Sequence, residues 1–366
     1  MKHALIIAGG SGTRLWPMST KDRPKQLIPL IDGKSLLEIS VDRLRNLVGE
    51  DHIYICAGES MRDLILQTIP GMSPNRFIAE PMGRDTLNAV ALGTGVIAKH
   101  DPDATVGIFT ADHLIEPVDD FARIVEQGYN LAERRNDLLV TFGVSPTHPA
   151  TGFGYLELAD AIEGNEGAKK VANFKEKPDT ATAQTYLVAG PTKYLWNAGM
   201  FVWQATTLMA CVQKFCPENA AAIDRVLAAW GTPEQQTVLH EVYPTLKKIS
   251  VDYAIMEPAS TDDRFGVASV PMPIQWLDVG SWPSLKKTLT PDPAGNAATG
   301  CKSQHLKSNN ILAVSEDTDH LITTIGCDDL IIIHTDKATL VCHKDHAETI
   351  KQLHTDVGET YGQNYL

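Results

Sequence analysis

Two hydrophobic periods alternate along this chain. Continuous apolar runs at 3–8, 52–57, 75–79, 104–109 and 138–144 predict strands covered on both faces. Between them, segments near 35–48, 59–69, 86–99 and 118–135 carry apolar residues at helical spacing. That order builds an α/β protein with a doubly wound, mostly parallel sheet. Right-handed crossovers then bring the strand carboxyl ends and their loops to one edge. From about 150 to 285 the pattern is mixed, with hairpin-like segments around GFGYLEL and VANFKEKP and helices near 179–188, 205–215, 218–229 and 234–242. The turn-forming stretch Pro291-Asp292-Pro293-Ala294-Gly295 marks a boundary. Beyond it, apolar runs start near 311, 321, 330 and 339, which predicts stacked short strands, and 344–353 reads as a terminal helix. The expected organisation is a large domain over 1–290 and a small one over 291–366.

Composition narrows the classes of function. With 366 residues, 43% of them hydrophobic, the chain can bury a large core. A net charge of -13 argues against nucleic acid or an anionic membrane as partner. The six cysteines show no C-x-x-C spacing, which fits reduced thiols in a cytoplasmic protein. The first apolar run is too short for a signal-peptide core, and no stretch approaches a membrane span. Cys342, His343 and His346 lie close together but lack the second pair that would complete a zinc site.

The first predicted strand ends in a glycine loop, Ala8-Gly9-Gly10-Ser11-Gly12-Thr13, followed by Arg14 and, eleven residues later, Lys25. Small residues there let backbone N–H groups approach an anion closely, while Arg14 and Lys25 bring positive charge for phosphate oxygens. A Walker loop would need Gly-Lys-Ser/Thr, whereas Gly12 is followed by Thr13 and Arg14. A dinucleotide fingerprint would need a small residue where Leu15 stands. Two readings stay open on these residues alone, nucleoside triphosphate chemistry of another kind and a strand-to-helix turn that is merely glycine-rich, and Arg14 with Pro24-Lys25-Gln26 favours the first.

GGSGTRLWP followed by RPKQ resembles the signature of the sugar-phosphate nucleotidyltransferases, and within them the mannose-1-phosphate guanylyltransferases. The resemblance recurs in family order at EPMGRDT (80–86), FTADH (109–113), GFGY (152–155), FKEKP (174–178), WNAGMF (196–201), SVDYAIME (250–257) and WLDVGSW (276–282). It implies a Rossmann-like, glycosyltransferase-A-like catalytic fold followed by a small β-roll or left-handed β-helix. Some bacterial relatives continue into a cupin phosphomannose isomerase, and this chain's end at 366 carries the expectation that the second activity is absent.

The resemblance also implies roles. Ala8, Gly9, Gly10, Ser11, Gly12 and Thr13, with Glu80, Pro81, Arg84 and Thr86, would bind the nucleotide. Asp112 and Asp278 would hold Mg²⁺. Gly152, Glu176, Lys177, Asn197, Gly199 and Asp252 would bind the sugar phosphate, and Arg14, Lys25, Asp112, Lys177 and Asp278 would carry catalysis. Lys175 competes with Lys177, since strand alternation puts both on one face; the family pattern F-x-E-K-P selects Lys177. Asp85, Leu87 and Asn88 depart from the family's G-R-N-T-A-P segment, so the choice of guanine rests on the overall resemblance, and Asp85 and Thr86 read equally as helix caps.

The expected partners are therefore GTP and mannose 1-phosphate, with a homodimer as the assembly to test. The alternatives are the same transfer with another hexose 1-phosphate or nucleoside triphosphate, and a non-catalytic sugar-nucleotide sensor. An acyltransferase would need many more repeat turns than the C-terminal segment supplies.

Overall fold

The continuous apolar runs assemble side by side. In the computed structural model of the chain, which describes residues 1–10, 12–31 and 33–366 without the side chain of Glu166, they form one nine-stranded sheet. Its strands are β1 (Lys2–Ile7), β2 (Ile53–Gly58), β3 (Phe77–Glu80), β4 (Thr105–Thr110), β6 (Leu138–Val144), β7 (Tyr155–Ile162), β8 (Asn165–Lys175), β9 (Tyr194–Gln204) and β10 (Gly266–Pro271), in the order β3-β2-β1-β4-β9-β6-β10-β8-β7. Seven strands point one way, and only β8 and β9 run against them. The mixed segment beyond residue 150 thus extends the same sheet. Helices α1 (Leu36–Val48), α2 (Arg62–Thr68), α3 (Asp85–His100) and α4 (Val118–Arg134) stand where the helical spacing predicted them, and α5 (Thr180–Ala189), α6 (Ala205–Phe215), α7 (Pro217–Ala229) and α8 (Gln235–Val242) follow. No helix among the described residues is long and apolar enough to cross a membrane.

The chain divides into two compact units. The first holds residues 1–9, 40–111 and 115–276, with a core in which Leu5, Val106, Trp203, Ile223 and Tyr243 are all fully buried. The second gathers residues 10–39, 112–114 and 277–366. In its core Leu15, Trp16, Ile28 and Leu36 pack with Trp282, Leu312, Ile331 and Ile333. Residues 10–39, which carry the glycine loop and Lys25, therefore share a core with the C-terminal strands, and a division at 291 in sequence does not follow this spatial one.

The second unit contains short strands β12 (Ala297–Thr299), β13 (Lys302–Leu306), β14 (Leu312–Ser315), β15 (Leu321–Ile325), β16 (Leu330–His334) and β17 (Thr339–His343). Lys302 pairs in parallel with Leu321, and Leu312 with Ile331, nineteen positions on in each case. The runs near 311, 321 and 330 alternate between two sheets, so one β-helix-like coil takes about twice the spacing read from the apolar runs, whereas the run near 339 pairs antiparallel with its predecessor on the same sheet. Side chains stack at the same interval: His305 meets Thr324, and Asn309 donates to Asp328. The terminal helix differs from its expected start. Lys344–Thr349 winds as a tighter 3₁₀ turn that buries Ala347 and leads to buried Ile350, three positions on, and the terminal α-helix runs over Ile350–Tyr361.

Gly107 in β4 shows how tightly the central sheet is filled. A Cβ there would lie 2.3 Å from the Tyr129 hydroxyl oxygen and 2.6 Å from the Phe109 ring, and both residues are buried. Tyr129 cannot easily yield, because its hydroxyl donates to the His3 carbonyl at 2.7 Å. Gly107→Ala is expected to cost about 1–3 kcal/mol of stability through overpacking. A urea midpoint equal to that of the wild type would contradict this.

Candidate functional site

In the second unit, the glycine loop and the RPKQ segment meet. Gly12 adopts φ 61° and caps the 3₁₀ turn Thr13–Leu15. Any Cβ at Gly12 would fall 2.8 Å from Lys25 Cβ and 2.4 Å from Ser19 Oγ, so both the backbone conformation and the space require glycine. Pro24, extended, starts the turn Lys25–Leu27. The Lys25 ammonium reaches Asp112 Oδ2 at 2.5 Å, with both side chains largely shielded from solvent.

Asp112 immediately precedes β5 (His113–Glu116), and Asp278 ends β11 (Gln275–Asp278). Val279 N–H donates to the Asp112 carbonyl at 3.0 Å, which ties the two aspartates together through their backbones. One ligand atom each from Asp112, His113 and Asp278 lies within 4.8 Å of the others. Burial works against ionisation of Asp112, yet the Lys25 and His113 charges outweigh it and hold this carboxyl below its usual range. Asp278 is shifted upward, first by burial and then by the charge of Asp112. Arg14 is half exposed and stands 3.6 Å from Glu348. The structure thus brings Arg14, Lys25, Asp112 and Asp278 into one unit. It adds His113, which lies in the FTADH motif but had no role assigned from sequence.

In the first unit a second cluster forms around Asn197 on β9. Asn197 Nδ2 donates to Asp252 at 2.9 Å, and its backbone N–H donates to the Gly154 carbonyl at 2.8 Å. A Cβ on Gly154 would come within 2.6 Å of Glu176 Oε2 and 3.3 Å of Asn197 Cβ, so Gly154 is the glycine that lets these residues meet. Gly152 stands in open space, and Gly199 follows Asn197 at φ 67°.

Lys177 donates to Glu176 Oε1 at 3.0 Å, whereas Lys175 faces Glu257 at 3.7 Å. Lys175 and Lys177 do not share a strand face as alternation predicts, because β8 ends at Lys175 and Lys177 sits at φ 45°, outside the strand. The two lysines accordingly have different partners. Glu257 also accepts from the Glu176 N–H at 2.8 Å, a tie across 81 residues that no local pattern signalled. Burial raises the Glu176 carboxyl, and burial followed by the Glu176 charge pushes Asp252 up to about 7.

The EPMGRDT segment also lies in the first unit. Glu80 is buried and accepts from the Tyr243 hydroxyl at 2.5 Å; burial raises its carboxyl. Arg84 donates to the Pro244 carbonyl, and Thr86 Oγ1 accepts from the Val251 N–H at 2.9 Å. These three side chains are turned inward, leaving Met82 and Gly83 exposed beside half-buried Pro81. Asp85 adopts φ 65° and accepts from the Thr86 N–H at 2.8 Å, and the helix cap at Arg84 has no side-chain bond. Ala8 is buried at the end of β1, where its N–H donates to the Cys56 carbonyl at 2.8 Å, and Gly9 follows it. Gly10 and Thr13 belong to the second unit with Gly12, and Ser11 lies outside the described residues.

The family model described as Nucleotidyl transferase matches residues 3–292, and that of a MannoseP isomerase/GMP-like beta-helix domain matches residues 305–355. The Xanthan biosynthesis protein XanB of Xanthomonas campestris pv. campestris (strain B100) is 33% identical over 352 residues, 95% of this chain and 72% of that protein. The mannose-1-phosphate guanylyltransferase of Escherichia coli (strain K12) is 32% identical over 359 residues, 96% of this chain and 72% of the relative. A crystal structure from Thermus thermophilus, described as a mannose-1-phosphate geranyltransferase, superposes with a TM-score of 0.85 at 30% identity, covering 97% of this chain and 99% of that one.

Asp252 ties the cluster around Asn197 to pH. An unfolded aspartate releases its proton near pH 4, about its ordinary value, whereas the folded one holds it to about 7. Between those values the folded state binds more protons, so stability that is complete below the lower value is lost as pH rises through the upper one. The thermal midpoint should fall between about pH 4 and about pH 7, and Asp252→Asn should flatten that slope. Identical slopes in the two proteins would show that another group is responsible.

Proposed function

The chain belongs to the nucleotidyl transferase family, and we propose that it joins GTP to α-D-mannose 1-phosphate, releasing pyrophosphate and forming GDP-mannose. The relatives named mannose-1-phosphate guanylyltransferase support the choice of substrates. The observation that carries the chemistry is the Lys25–Asp112 pair with Asp278 beside it, a compact set of fixed charges next to a glycine loop.

The reaction demands little covalent help from protein side chains. A phosphate monoester has a second pKa of about 6, so the sugar phosphate is already a nucleophile near neutral pH and needs no general base. The barrier is electrostatic: two polyanions must be aligned, and charge on the departing pyrophosphate must be balanced. On this reading the glycine-loop N–H groups and Arg14 hold the triphosphate, and Lys25 neutralises charge where the α-phosphorus is attacked. Lys177 orients the incoming phosphate, while Glu176, Asn197 and Asp252 take sugar hydroxyls. Glu80, Pro81, Arg84 and Thr86 would shape the base side.

The donor set fits a hard divalent ion. Two carboxylates with oxygen atoms a few ångströms apart suit Mg²⁺, which keeps several waters and bridges to phosphate. Asp112 and Asp278 would hold it, and His113, a nitrogen donor, fits better as their neighbour. Bound there, the ion would supply charge neutralisation at the phosphoryl oxygens.

Pyrophosphate release measured with four nucleoside triphosphates and several hexose 1-phosphates should be fastest with GTP and mannose 1-phosphate. Preference for another pair would move the reading within the family, and no release with any pair would favour a sensor. Lys177→Ala should raise KM for the sugar phosphate roughly 10- to 100-fold, the worth of a charge-assisted bond, with KM for GTP little changed. Arg14→Ala should do the reverse. Equal effects of either variant on both substrates would remove that division of labour.

A further inference from the structure

The sugar-side cluster is aimed by a residue that belongs to none of the motifs. Thr141 is fully buried in β6, within the apolar run Leu138–Val144. Thr141 lies opposite Phe201 and Gly143 opposite Asn197, so the register between β6 and β9 slips at this point. Ala198, Gly199 and Met200 face the single residue Phe142, two more than a regular ladder holds, and Gly199 turns the bulge at φ 67°.

The Thr141 hydroxyl is 2.7 Å from Asn197 Oδ1 and 3.0 Å from the Met200 carbonyl, sharing its one hydrogen between them. Gly199 N–H donates to the same Asn197 Oδ1 at 3.2 Å. With two donors on its oxygen, the Asn197 amide has one satisfied orientation, in which Nδ2 faces Asp252. Flipping it would set Oδ1 against a carboxylate and the amide N–H groups against another donor.

We propose that Thr141 is a positioning residue for sugar recognition, locking the Asn197 amide so that an N–H donor and the Asp252 carboxylate stand side by side as a reader of two neighbouring sugar hydroxyls. One hydroxyl donates to the carboxylate, and the other accepts the second Nδ2 hydrogen. A freed amide would offer an acceptor where a donor is needed, and a site built for a hydrogen bond loses most when that bond is mismatched. The inference rests on reading Asn197 and Asp252 as ligands of the sugar.

The test compares Thr141→Val, Thr141→Ser and Asn197→Ala in steady-state kinetics, with thermal midpoints as a check of folding. Thr141→Val should raise KM for mannose 1-phosphate about tenfold, the cost of one unsatisfied buried group, and leave KM for GTP within about twofold. Thr141→Ser, which keeps the hydroxyl, should restore the wild-type value. If the valine variant does not fold, Thr141→Cys, similar in size but a weak donor, takes its place. Should Asn197→Ala raise the sugar KM while Thr141→Val does not, the Thr141 inference falls and the sugar site stands. Should neither change it, the sugar-site reading itself fails. Equal increases for both substrates would also overturn the positioning role.

Discussion

One ammonium group organises the second unit of this protein around its glycine loop. Lys25 presses its stem against Gly12 and its charge against Asp112, so a single side chain ties the glycine loop to the carboxylate pair. The contact is possible only because residues 10–39 and the C-terminal strands bury their apolar faces in a common core, where Leu15 and Trp16 pack with Leu312 and Ile331. Trp282 donates to the Trp16 carbonyl at 3.2 Å, and Trp16 donates to the Tyr365 carbonyl at 2.7 Å, extending that support to the last residues of the chain. The C-terminal coil is therefore part of what holds the loop in shape.

The cluster around Asn197 solves a different problem. Glu176, Asp252 and Glu257 crowd three carboxyl groups into a small volume. Lys177, Lys175, Asn197 and a backbone N–H distribute donors among them. Burial makes full ionisation costly, so Asp252 holds its proton to an unusually high pH. On the proposed reading, a ligand carrying hydroxyl hydrogens and a phosphate would supply the donors and the anion that such a set of acceptors and cations can use.

Much of this was legible in the sequence. Continuous runs such as LLVTFGV and TVGIFT form covered strands as their pattern implied, and the motif residues Arg14, Lys25, Asp112 and Asp278 fall in one unit. What escaped depends on distance or on local departures from regularity. Thr141 looks like one more β-branched core residue until the slip opposite Asn197 is seen. Lys175 and Lys177 looked equivalent because alternation was carried past the end of β8. Gly154 drew no notice, because which glycine a carboxylate approaches depends on a partner on another strand. The pairing of Glu80 with Tyr243 spans 163 residues and leaves no trace in either segment.

The proposed chemistry requires Asp112 and Asp278 to act together on one divalent ion. Titration of the nucleotide-free protein with Mn²⁺, followed by electron paramagnetic resonance of the free ion, reads this directly. One ion should bind per chain, and Asp112→Asn and Asp278→Asn should each weaken it by at least about tenfold. Undiminished Mn²⁺ affinity in both variants would contradict the central claim.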